Sequence, residues 1–69
     1  MQVRAELAGN LWKILVRPGQ QIAADDTIMI LESMKMEIPV AAPVSGTVTR
    51  IAVIEGQPVQ EGDLLADID

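Results

Sequence analysis

Hydrophobic residues run along this chain in short bursts, broken at glycine. In the second half, Val48, Ile51, Val53, Val59, Leu64, Leu65 and Ile68 fall in brief β-branched or aliphatic runs, parted by Glu55-Gly56 and Glu61-Gly62-Asp63. Runs of this length with glycine at the breaks predict hairpins and an all-β sandwich or barrel. The first half repeats the pattern. Gly9 to Glu32 lies over Gly46 to Asp69 at a constant shift of 37 residues, pairing Gly9 with Gly46, Ile14 with Ile51, Val16 with Val53, Gly19 with Gly56, Gln20 with Gln57 and Asp26 with Asp63. Two copies of a strand-rich unit predict a pseudo-twofold domain and are too few for a solenoid.

Parity adds local detail. Leu11 and Val48 are out of phase by one with the Ile14, Val16 and Ile51, Val53 pairs, whereas a regular strand sends alternate residues to one face. A bulge or bend near Lys13 and Arg50 is expected to restore the inward direction. Pro18-Gly19 and Glu55-Gly56 place glycine second in a turn, as type II geometry requires. Asp25 stands where the second copy has Gly62, so the first-copy turn must tolerate a side chain there. Pro39 cannot donate to a ladder, so its strand is expected to be an edge, or to expose that position to solvent. Pro43-Val44-Ser45-Gly46 reads as the turn that enters the second copy.

Between the copies, Ile28 to Glu32 and Glu37 to Ala41 are strand-like, and Ser33 to Met36 are few enough for a hairpin turn. Lys35 is therefore predicted at the tip of a β-turn. The matching point after the second copy is Asp69, which puts the lysine turn opposite the termini under the pseudo-symmetry. Turns normally carry Gly, Asn, Asp or Ser. Here Met34 and Met36 bracket a cation, and Glu32 and Glu37 bracket all three.

Composition narrows the chemistry. At 69 residues the chain is one domain, 1–69, and a domain of this size buries only about 60% of its unfolded surface. Cysteine and histidine are absent, which removes thiol chemistry, disulfides and the usual general base near neutral pH. The net charge of −5 works against nucleic-acid binding, which depends on Lys and Arg meeting phosphates. Asp25-Asp26 and Asp67 to Asp69 match no calcium-loop pattern, and no metal site is expected. No membrane span or secretory signal is visible, so the expectation is a soluble cytoplasmic protein. Met1 suits either a complete small protein or an excised domain.

Glu32-Ser33-Met34-Lys35-Met36-Glu37, followed by Ala42-Pro43-Val44-Ser45-Gly46 and flanked by two Gly-Gln turns, resembles the biotin/lipoyl attachment domains. Small biotin carboxyl carrier and free-standing attachment proteins are the nearest in pattern. The resemblance covers nearly the whole chain, with Met1 to Leu7 least diagnostic. It implies a flattened β-barrel, a barrel-sandwich hybrid of two four-stranded antiparallel sheets, with Lys35 as the acceptor of covalent biotin. Met34 and Met36 match the flanking methionines, and Gly19, Gly46, Gly56 and Gly62 match the turn glycines. Ser33 replaces a common alanine before the triplet, and Glu32 and Glu37 are read, with Ser33, as candidates for ligase recognition or a cross-strand charged frame, the alternative for the two glutamates being ordinary solvated strand ends. No insertion supplies the extra projecting loop of some bacterial carriers.

The implied function is that of a carrier, with no catalytic residues of its own. A biotin protein ligase joins biotin to the lysine through biotinyl-adenylate, and the carrier then moves a carboxyl group between biotin carboxylase and carboxyltransferase. The isolated domain is expected to be monomeric. A free lysine has pKa about 10.4, so a small fraction is nucleophilic near pH 7, and the modifying enzyme must supply deprotonation and an activated donor. Lipoyl domains usually carry an acidic residue before the lysine and Ala after it, so paired methionines favour biotin over lipoate. The alternatives are a lipoyl or dual carrier, or an unmodified β-barrel serving as an interaction module. A Schiff-base enzyme would need a desolvated lysine, which an exposed turn does not supply. Trp12 is expected to cover the barrel, partly buried.

Overall fold

Each strand turns one apolar row inward, and the rows meet in a single core. A computed structural model describes residues 1–69 as eight strands: β1 (Gln2–Arg4), β2 (Gly9–Ile14), β3 (Gln21–Ile22), β4 (Thr27–Ser33), β5 (Met36–Ala41), β6 (Gly46–Ile51), β7 (Pro58–Val59) and β8 (Leu64–Ile68). They form two four-stranded antiparallel sheets, ordered β1-β8-β6-β3 and β5-β4-β2-β7. A shift of 37 residues carries one order onto the other, strand for strand, as the repeat predicts. The sheets are not closed into a full barrel. A groove of about 370 Å³ opens between edge strands β1 and β5, lined among others by Val3, Leu31, Ile38 and Val40.

The two halves are interlocked. β3, from the first half, pairs with β6 of the second, and β7 returns the exchange by pairing with β2. The core draws from every strand but β5, with Leu11, Ile28, Met29 and Leu31 packed against Val48, Val59, Leu65 and Ile68, and it contains no buried polar or charged residue. Full burial of an aliphatic side chain of this kind stabilises by about 1.5–3 kcal/mol. β5 contributes Ile38 and Val40 as half-buried flanks. It is an edge strand, so Pro39 sits where a missing N–H costs little.

The irregularities come in symmetric pairs. The register of β2 on β4 slips between Leu11 and Lys13, and that of β6 on β8 between Val48 and Arg50. These are the bulges that the parity break predicts. Leu11 and Val48 reach the core, while two outward residues follow each of them. A second pair, not foreseen, lies where Thr27 and Met29 face Ala41 and Val40, and where Val3 and Arg4 face Ala66 and Leu64. The extra residues, Ile28 and Leu65, are both fully buried. Bulges strengthen local twist, and four of them bend the two sheets around a common core.

The turns explain the repeated polar residues. Gly19 and Gly56 have φ of 92° and 90°, and Gln20 N–H and Gln57 N–H donate to the Arg17 and Ile54 carbonyls at 3.1 and 3.3 Å, consistent with type II turns. The Gln20 and Gln57 Oε1 atoms accept from Arg17 N–H and Ile54 N–H. One turn later, Asp26 Oδ2 accepts from Ala23 N–H at 2.9 Å and Asp63 Oδ2 from Gln60 N–H at 2.8 Å. Gly46 departs from expectation: it opens β6 and is not among the glycines with positive φ. Its constraint is space, since a Cβ there would meet the Asp69 carbonyl oxygen, and Ile68 Cγ2 at 2.9 Å.

Candidate functional site

β4 and β5 are the longest-paired strands in the molecule, and their register runs to Glu32↔Glu37 and Ser33↔Met36. Only Met34 and Lys35 remain to make the turn. Both have positive φ, 52° and 65°, the backbone of a two-residue type I′ hairpin. Such turns favour Asn-Gly, because a Cβ in the left-handed region costs roughly 1–2 kcal/mol per residue. Met-Lys bears that cost at both positions. The lysine tip expected from the sequence is present, and the strain marks it as a place where side-chain identity outweighs local backbone preference.

The side chains around it face solvent. Met34 is 91% exposed and Met36 63% exposed, so neither folds back onto the barrel. Lys35 is exposed, as are Glu32 and Glu37, with Ser33 half-buried beneath. Glu32 and Glu37 sit directly opposite each other, a like-charge pair that disfavours the ladder by roughly 0.2–1 kcal/mol and leaves a negative frame below the single cation. The side-chain hydrogen bonds of the structure join other residues, at Arg4, the turns and Thr49, and none involves Lys35. The amine is therefore free to be taken up by another molecule.

The chain has one other lysine, Lys13. It follows the β2 bulge, and its Nζ lies 5.7 Å from the centre of the Trp12 ring, within cation–π range. Trp12 itself is 41% exposed. It projects at the bulge with Lys13 over it and does not cover the barrel, because Leu11 takes the inward direction at this bulge and Trp12 and Lys13 both follow it outward. The two lysines thus differ in setting, one at a strained two-residue tip and one alongside a strand.

Gly19, Gly56 and Gly62 occupy positive-φ turns away from this hairpin, and so serve the frame. Asp25 takes the Gly62 position at φ 72°. One residue near the hairpin entered the sequence analysis only as the start of the repeat. Gly9, at the start of β2, passes so close under β4 that a Cβ would lie 2.8 Å from the Glu32 carbonyl oxygen and 3.4 Å from Ser33 Cβ. The available signal was its identity with Gly46 across the repeat.

A family model described as "Biotin-requiring enzyme" matches residues 2–68. The biotin/lipoyl attachment protein of Bacillus subtilis is 48% identical over 68 residues, covering 99% of this chain and 93% of the relative. The biotinylated protein TB7.3 homolog of Mycolicibacterium smegmatis is 52% identical over 67 residues, covering 97% and 94%. Among solved structures, the urea carboxylase of Kluyveromyces lactis superposes with a TM-score of 0.94 at 36% identity, over 100% of this chain and 6% of that one.

Proposed function

The chain belongs to the biotin/lipoyl attachment family, whose members like it are carriers and not catalytic units, and from that premise we propose that it carries biotin covalently on Lys35. The observation that carries the reading is the hairpin tip: a lysine without hydrogen-bond partners, in a two-residue turn, between two exposed methionines. A biotin protein ligase supplies biotinyl-adenylate, and the neutral ε-amine attacks its acyl carbon: the amide C–N bond forms, the acyl–phosphate C–O bond breaks, AMP leaves, and the nitrogen gives up a proton. Biotin, once attached, supplies the atom that takes up and gives back a carboxyl group. The protein supplies the tether.

Each remaining feature suits a tether. A turn holds the amine clear of the sheets while β4 and β5 fix its origin. Soft, adaptable methionines suit successive partner surfaces, here the ligase, a biotin carboxylase and a carboxyltransferase. Tethering raises the cofactor's effective concentration at each of those sites. The module works as a monomer in the cytoplasm, and the negative frame at Glu32 and Glu37 favours partners with basic rims. The carboxylase named among the structural relatives supports this class of partner.

The test is the intact mass of protein expressed with a biotin protein ligase, alongside Lys35→Arg and Lys13→Arg variants. One biotin increment is expected in the wild type and in Lys13→Arg, and none in Lys35→Arg. A lipoyl increment, no increment, or biotin retained in Lys35→Arg would overturn the assignment.

A further inference from the structure

The hairpin that carries Lys35 is supported from one side only. β5 is an edge strand, so β4 is the sole connection of the tip to the sheet, and the pairing of β4 with β2 stops at Asn10↔Glu32. Ser33 to Met36 project beyond that last pair. The place where β4 leaves β2 therefore sets the direction in which the tip points, and Gly9 lies there. Its missing side chain lets the Glu32 peptide come down to a distance that no ordinary Cβ permits. The obstructing atom is backbone, so an added methyl group cannot be accommodated by a rotamer change.

Resting on the reading of Lys35 as the biotin acceptor, we propose that Gly9 is a positioning residue for that lysine, setting the angle of the β4–β5 hairpin without touching the amine. The repeat provides its control. Gly46 stands in the same relation to Asp69 as Gly9 to Glu32, and it is at least as crowded. A methyl group at Gly46 disturbs the frame by the same kind of contact, but the strand it displaces, β8, bears no lysine. Gly9→Ala and Gly46→Ala thus separate loss of fold from loss of aim.

The experiment compares both variants with wild type in initial-rate biotinylation by a purified ligase with biotin and ATP, below the melting temperature of each. Backbone amide shifts are recorded in parallel. To keep both variants folded, the set is repeated in an Asp25→Gly background, which relieves a strained turn at the base of the β4–β5 hairpin, the end opposite its tip. Displacing a reacting group by a fraction of an ångström costs on the order of tenfold in rate. Gly9→Ala is therefore expected to lose about tenfold in kcat/KM, with amide shifts concentrated at Ser33 to Met36. Gly46→Ala should stay within about twofold of wild type while melting at the same or a lower temperature.

Equal losses in the two variants would overturn the proposal, as would a Gly9→Ala protein with wild-type rate and unmoved hairpin shifts. A Gly9→Ala chain that stays unfolded even in the Asp25→Gly background also overturns it, by making Gly9 a residue of the fold as a whole. Failure of the wild type to accept biotin would instead strike the carrier assignment, while the amide shifts still decide whether Gly9 directs the hairpin.

Discussion

Asp26 and Asp63 do the same thing 37 residues apart, each closing a turn with its carboxylate on the backbone three residues earlier. Glu32 and Asp69, at the ends of the same two units, do not. One continues through a strained turn bearing a lysine, and the other is the last residue of the chain. The two halves thus share bulges, turns, strand exchange and buried positions, and they part at the point where the first half carries the candidate chemistry. A frame that occurs twice is accounted for by packing. What occurs once calls for another reason, and the Met-Lys turn is dearer in backbone energy than the frame requires.

The equivalence of the halves can be broken most severely in the core. Ile28→Ala and Leu65→Ala each remove a fully buried bulge residue and are each expected to cost about 2–5 kcal/mol, read by urea denaturation. A gap between them of more than about 2 kcal/mol, against that range, would show that the frames are not energetically alike. A smaller effect tests the turns. Asp26→Ala and Asp63→Ala should each lose about 1 kcal/mol, and equality within error is the expected result.

The one frame position where the halves differ in backbone chemistry gives opposite signs. Asp25→Gly should raise stability by roughly 0.5–1 kcal/mol, because glycine meets φ 72° without a Cβ penalty, and Gly62→Asp should lower it by a similar amount. Thermal melts of the two variants decide this. The least effect on stability is expected at the tip. Dilute hydroperoxide should convert Met34 and Met36 to sulfoxides well before Met29, which is fully buried, while the melting temperature stays unchanged. Peptide mass mapping would contradict the exposed placement of the methionines if Met29 reacted with them.

Much of this could be read in the residues. The repeat gave the pseudo-twofold arrangement, the phase break at Leu11 and Val48 gave the first pair of bulges, and Pro39 gave an edge. The tip followed from counting between two strand-like runs. Other features were silent for physical reasons. The bulges at Ile28 and Leu65 lie in runs where every neighbour is apolar, so alternation has no polar residue against which to register a slip. The role of Gly9 and Gly46 arises from a strand arriving from elsewhere in the chain, and no local pattern marks such an approach. Trp12 was expected to cover the barrel, but at the β2 bulge Leu11 takes the inward direction and leaves Trp12 facing out. Strand exchange was equally hidden, since β3 and β7 are only two residues each.

That exchange has a kinetic consequence. Neither half contains a complete sheet, so neither can gain its burial before the other arrives, and the search must close loops across most of the chain before any sheet is complete. Folding of this kind is slow for its length and all-or-none. Cut between Ala41 and Pro43, the two pieces would each be a poor domain and, mixed, should complement one another into a single ordered particle.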